Sequence, residues 1–137
     1  MAWSATDAVK HAEDNAFATS QKKCAGYVKK ALVAGGLAAI DCVHARSCGG
    51  GLEAQGFTMV MDQNTDTGTY EKGDVVVIES FADPDGEGKL KGSASGHMAI
   101  WNGSIWISDF KQSKDVYPGA GYRMAKPAYK VYRNSGK

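Results

Sequence analysis

Long apolar runs are missing from this 137-residue chain. The longest uncharged apolar stretch covers residues 31–40, far short of the ~20 residues a membrane helix requires, so no membrane span is expected. A charge excess is missing too. Sixteen basic residues meet 15 acidic ones for a net charge of +1, which argues against a dedicated nucleic-acid binder with its basic face. The opening MAWSATDAVKHAEDNAF brings acids early and no apolar h-region, so no secretory signal peptide is expected. What is present is 43% hydrophobic residues, enough for a core and too many for wholesale disorder. Seventeen glycines, about 12% against a typical ~7%, read as a loop-rich fold with tight turns. The length fits a single domain over residues 1–137.

Cysteine is scarce and odd in number: Cys24, Cys42 and Cys48. At most one bridge forms, leaving one thiol over. Cys42 and Cys48 lie close together in DCVHARSCGGG and are the candidate disulfide pair if the protein works in an oxidising compartment. A zinc reading of Cys42, His44 and Cys48 has only three ligands and lacks paired C-x-x-C spacing, so no metal site is expected. Cys24 stands apart. It is either a buried small hydrophobe or a nucleophile.

The pattern reads helices first, strands after. Residues 6–17 carry an apolar stripe at helical spacing: Ala8, Val9, Ala12, Ala16 and Phe17. Ala18-Thr19-Ser20 breaks it with N-cap chemistry, and a second helix runs over 21–34 to a stop at Gly35-Gly36. Residues 38–64 are ambiguous, with a short helix or strand around 52–61. Then come a buried strand, Val75-Val76-Val77-Ile78, a polar loop over 82–95, and two β-rich runs flanking Asn102-Gly103. A last strand is read in Tyr129-Lys130-Val131-Tyr132-Arg133. The class is therefore α+β, with N-terminal helices packed on an antiparallel β-sheet.

Cys24 falls in the first turn of the second helix, where unpaired N–H groups and the dipole stabilise a thiolate and lower its pKa. Lys22 and Lys23 add positive charge. Such a cysteine needs only a base. His11 reads as a solvated residue on the first helix, and His44 lies between two cysteines. His97 opens a strand, a rigid mount for a catalytic base. Asp109 follows it by 12 residues and is the candidate orienter, with Ser108 and Gln112 as rivals. A two-residue loop would set His97 against Ser108, whereas a three-residue loop would set it against Asp109 and Trp101 against Ile105. The second is favoured because it gives the imidazole a carboxylate.

Three segments carry a resemblance. Lys23-Cys24-Ala25-Gly26-Tyr27-Val28 resembles the nucleophile helix of NlpC-type papain-like peptidases, roughly D-C-S-G-[FL]-V. Gly73-Asp74-Val75-Val76-Val77-Ile78 is similar to their G-D-L-V-F-F strand, and Gly96-His97-Met98-Ala99-Ile100-Trp101 to their G-H-V-G-I-Y strand. The order matches, and a polar residue about a dozen positions after the histidine matches Asp109. Lys23 and Ala25 depart from the motif, and Asp109 stands where His, Asn or Gln is more common.

The resemblance implies a papain-like fold and a cysteine amidase or endopeptidase cutting peptide bonds of bacterial peptidoglycan. Candidate bonds are D-glutamyl–diaminopimelate within a stem and diaminopimelate–D-alanine in a cross-link. Cys24 would be the nucleophile, His97 the base and Asp109 the orienter, with no cofactor. The Cys24 N–H would bind the oxyanion, with Ser20 or Gln21 as a further donor. A bare domain without a leader resembles the amidase effectors of type VI secretion. That implies action in a target cell's periplasm and a cognate immunity protein that blocks the active site. The alternatives are a phage lysin-type hydrolase, a non-catalytic binding module on the same fold, and a cysteine acyltransferase or deamidase acting on proteins.

Overall fold

A computed structural model describes residues 3–16, 24–40, 42, 44–82, 93, 95–112 and 115–134. Helix α1 spans Ala5–Asn15 and starts at Ser4, whose Oγ accepts the Asp7 N–H at 3.2 Å, one of the donors a helix start leaves unpaired. Its stripe of Ala8, Val9 and Ala12 is buried. Helix α2 spans Cys24–Ala34 and buries Val28, Ala31 and Leu32. It ends in a Schellman motif. Gly36, at φ +103°, donates to the Val33 carbonyl, and Leu37 donates to that of Leu32. Gly35 is needed for contact, since a Cβ there would lie 2.6 Å from the Trp3 ring.

The ambiguous stretch contains both candidates. A 3-10 turn over Ala45–Ser47 leads into helix α3, Gly49–Ala54, and then strand β1, Phe57–Asp62. Strand β2 is Val75–Ile78, β3 is His97–Trp101 and β4 is Trp106–Ile107. A short helix α4, Ala120–Ala125, absent from the sequence reading, precedes β5, Tyr129–Asn134. These strands form an antiparallel sheet in the order β1-β5-β2-β3-β4.

Both faces of this sheet are covered. One face, with Val75, Val77, Met98 and Ile100, packs against Val28, Ala31, Leu32, Leu52 and Phe57. The other, with Val76, Ile78, Ala99, Trp101 and Trp106, is closed by Val116 and by Tyr70, Tyr117, Tyr122 and Tyr129. That is why β2 and β3 read as continuous apolar runs rather than alternating ones. Trp3, Trp101 and Trp106 are packed aromatics: Trp3 stands edge-on to Phe57, and the other two cluster with Tyr70.

The β3–β4 register corrects the expectation. Trp101 opposes Trp106 and Ile100 opposes Ile107, so the loop has four residues, 102–105. Asn102 decides this. Its Oδ1 accepts the N–H groups of Ser104 and Ile105, both at 2.8 Å, while Gly103 takes φ +106°. The ladder stops at Ile107 because the chain reverses over 108–110, with Ser108 N–H donating to the Phe110 carbonyl. His97 and Asp109 are therefore not cross-strand partners.

Candidate active site

His97 opens β3 directly after Gly96. Gly96 has φ +74°, and a Cβ on it would fall 2.2 Å from the Ile78 carbonyl oxygen, so only glycine lets the chain enter the strand here. The imidazole is buried, 5% exposed. Its Nε2 lies 2.6 Å from Gln112 Oε1. The Gln112 amide nitrogen donates to the Val116 carbonyl at 3.3 Å, which turns the amide oxygen toward the ring. Gln112 is itself pinned by its backbone N–H on the Trp106 carbonyl at 2.9 Å. Since Oε1 only accepts, Nε2 carries the proton and Nδ1 keeps a lone pair. The side chain bonded to His97 Nε2 is thus the rival Gln112.

Asp109 is fully buried in the 108–110 reversal, with the Ser108 hydroxyl 3.3 Å from its Oδ1. Its charge reaches both other candidates, raising the proton affinity of His97 and of Cys24. Burial dominates at the imidazole and holds its pKa down at about 4, against the opposing pull of the Gln112 bond and the Asp109 charge.

Cys24 is a free, partly exposed thiol at the start of the described part of α2. The backbones of Met98, the residue after His97, of Ala25 and of Cys24 itself favour the thiolate. Burial outweighs them and pushes the thiol's pKa up. The expected lowering by the helix start is therefore present but is not the larger effect. Burial thus favours the uncharged form of both the thiol and the imidazole.

Tyr122 completes the cluster and was not foreseen. Its ring meets the His97 ring edge-on at 5.7 Å, its hydroxyl donates to the Gly96 carbonyl at 3.2 Å, and it lies within electrostatic reach of Cys24. It sits on α4, a six-residue helix without a periodic pattern, so no sequence signal marked it.

Of the remaining candidates, Ser20 and Gln21 lie outside the described residues. Cys42 and Cys48 are joined in a disulfide, with Cα atoms 5.1 Å apart. His44 Nδ1 lies 3.0 Å from Ser95 Oγ. His11 is half-buried rather than solvated, and its Nδ1 is buried without a hydrogen-bond partner among the described residues.

Two solved structures match the chain over nearly its whole length. One is the native type VI effector–immunity complex Tae3–Tai3 from Ralstonia pickettii, at 40% identity and a TM-score of 0.80, covering 96% of this chain and 99% of that one. The second, the selenomethionine form of the Tae3–Tai3 complex, matches at 41% identity and a TM-score of 0.76, covering 93% and 99%. No family model and no curated protein matches the chain.

Proposed function

The chain belongs to the Tae3 family of type VI effectors, and on that premise we propose that it is a cysteine amidase cutting peptide bonds of peptidoglycan in the periplasm of a target cell. We read the fold as papain-like: a helix-borne cysteine packed against an antiparallel sheet that carries the histidine. The relatives' effector–immunity complexes support a cognate immunity protein, which we read as covering the active site. The match to an effector complex favours this reading over a phage lysin. The observation that carries the chemistry is the Gln112–His97 bond, which leaves a basic nitrogen on an imidazole whose strand neighbour, Met98, acts through its backbone on the Cys24 thiol.

In this mechanism His97 Nδ1 takes the thiol proton as Cys24 Sγ attacks the amide carbonyl carbon. Transfer is coupled to attack because burial disfavours both charged forms at rest. The Cys24 N–H and the start of α2 bind the developing oxyanion. Asp109, already drawing protons toward His97, stabilises the imidazolium. The imidazolium then protonates the leaving amine as the C–N bond breaks, giving a thioester. Water, deprotonated by His97, hydrolyses the thioester and releases the acid and the thiol.

The test is digestion of purified sacculi with the parent enzyme and Cys24→Ala, read by mass spectrometry of the muropeptides. Products from the parent alone support the proposal and identify the bond. Products from Cys24→Ala remove the nucleophile assignment. No products from either, with cell-wall binding retained, turns the reading to a binding module.

A further inference from the structure

Tyr122 is placed unlike an aromatic that only fills space. Helix α4 buries none of its residues fully, and Tyr122 reaches from it to the start of β3. A side chain needed for packing alone would be apolar, and the hydroxyl of a half-buried tyrosine is free to face water. This one faces inward, donating to the Gly96 carbonyl at 3.2 Å while the ring meets the His97 ring edge-on.

Gly96 is where the placing of His97 is decided. It is buried and crowded from two sides: a Cβ on it would fall 2.2 Å from the Ile78 carbonyl oxygen and 2.9 Å from Arg46 Cβ. Its carbonyl accepts two hydroxyls, Tyr122 at 3.2 Å and Ser93 at 3.1 Å, one for each lone pair. That carbonyl belongs to the peptide plane that ends at the His97 Cα, so fixing it fixes the mount of the imidazole. Phe81 ties the parts together. Its backbone exchanges two hydrogen bonds with Ser93, both at 2.9 Å, and its ring packs edge-on against Tyr122 at 4.6 Å.

The phenol ring also acts on the imidazole directly. Gln112 holds His97 at Nε2, which fixes one point of the ring. A ring held at one point still tilts about it. The Tyr122 ring, 5.7 Å away with its plane at 63° to the imidazole, opposes that tilt.

We propose that Tyr122 is a positioning residue for the His97 base, its ring setting the plane of the imidazole and its hydroxyl, with that of Ser93, setting the peptide that carries it. The proposal rests on the reading of Cys24 and His97 as nucleophile and base. Tyr122 acts through His97 and takes no part in bond breaking.

The test compares the full-length parent with Tyr122→Leu, Tyr122→Phe, Ser93→Ala and the double variant Ser93→Ala/Tyr122→Phe. Hydrolysis of purified muropeptides gives kcat and KM, and ¹⁵N NMR of the His97 ring is recorded without substrate. Tyr122→Leu is expected to lower kcat by about 30-fold with KM changed less than about twofold, because orientation rather than binding is lost. Tyr122→Phe keeps the ring and recovers most of that rate. Each hydroxyl deletion alone lowers kcat by about threefold, and the double variant by about 20-fold, more than the product, since neither donor then covers for the other. The ring spectrum of the parent and of Tyr122→Phe shows the Nε2–H form, and that of Tyr122→Leu a mixture of the two neutral tautomers. A raised KM at unchanged kcat in Tyr122→Leu makes Tyr122 a substrate contact and overturns the proposal. So does a parent-like His97 spectrum in folded Tyr122→Leu. If that variant does not fold, the hydroxyl pair decides, and independent effects of the two deletions overturn the proposal. A parent that hydrolyses no wall peptide removes the amidase reading, while the ring spectra still show whether Tyr122 orients His97.

Discussion

His97 Nε2 lies 2.6 Å from Gln112 Oε1, and the far end of the same amide is held by the Val116 carbonyl. This pair sets which imidazole nitrogen is basic. Gln112→Ala is expected to lower kcat by about 100-fold with KM nearly unchanged, since it frees the ring to rotate and to change tautomer. Gln112→Glu keeps an acceptor in place and retains more activity. Its added charge raises the His97 pKa, moving the acid limb of the pH profile upward. A kcat unaffected in Gln112→Ala would return the orienting role to Asp109.

The buried imidazole also predicts how the protein responds to acid. His97 has a pKa of about 4 in the fold, against 6.5 for the ordinary side chain. The unfolded chain therefore binds a proton that the folded one refuses. This costs nothing above pH 6.5, and stability falls as the pH drops from 6.5 toward 4. Below that both states are protonated and the effect is constant, at roughly 3 kcal/mol. Urea denaturation at pH 7.5 and pH 4.5 measures it, and His97→Gln should flatten that part of the curve. The acid limb of kcat/KM for the free enzyme should fall near 4. A limb near 6.5 would show that the imidazole is solvated.

How the two catalytic elements are held gives a third expectation. The Cys42 carbonyl accepts from Lys29 Nζ on α2, the helix of Cys24. Arg46 and His44 bond the backbone and side chain of Ser95, on the approach to His97. The Cys42–Cys48 disulfide thus closes a loop that touches both sides of the active site. Replacing both cysteines by serine should cost about 2 kcal/mol, the loop-closure value for so short a ring. It should also lower kcat more than it affects overall helicity. Denaturation by urea of the parent with and without reductant, alongside the Cys42→Ser/Cys48→Ser variant, checks this. Identical curves would mean the bridge constrains nothing.

The limits of the sequence reading have physical causes. Both long helices were visible because their stripes are periodic, and β2 and β3 because they are continuous apolar runs between turn signals. The hairpin register was not, because a side chain settled it: Asn102 Oδ1 caps two backbone N–H groups and lengthens the loop to four residues. Gln112 ranked behind Asp109 for the same reason. The reversal at 108–110 that carries it back to Trp106 leaves no periodic trace. Helix α4, and with it Tyr122, is too short to show a stripe. The thiol's raised pKa is a property of tertiary burial, which helix position alone does not reveal.

Asp74 marks the boundary between motif and mechanism. It stands in the Gly-Asp pair that resembles the family strand, yet its chemistry is spent on the fold. It is fully buried, and Arg133 of β5 grips it with Nε on Oδ1 and a terminal nitrogen on Oδ2, both at 2.8 Å. The Glu71 N–H adds a third bond at 2.8 Å, closing the turn in which Gly73 takes φ +95°. Removing one partner leaves the other ion or its donors unsatisfied, so Asp74→Ala should destabilise by about 3–5 kcal/mol. Arg133→Met should cost a comparable amount, because it strands the buried carboxylate. The double variant Asp74→Leu/Arg133→Met should cost much less than the two singles added, since neither charge is then left alone. Thermal or urea unfolding of the four proteins closes this cycle, with kcat measured on whichever variants remain folded. Additive losses would mean that the two side chains act independently. A loss of kcat without a loss of stability would move Asp74 from the scaffold into the active site.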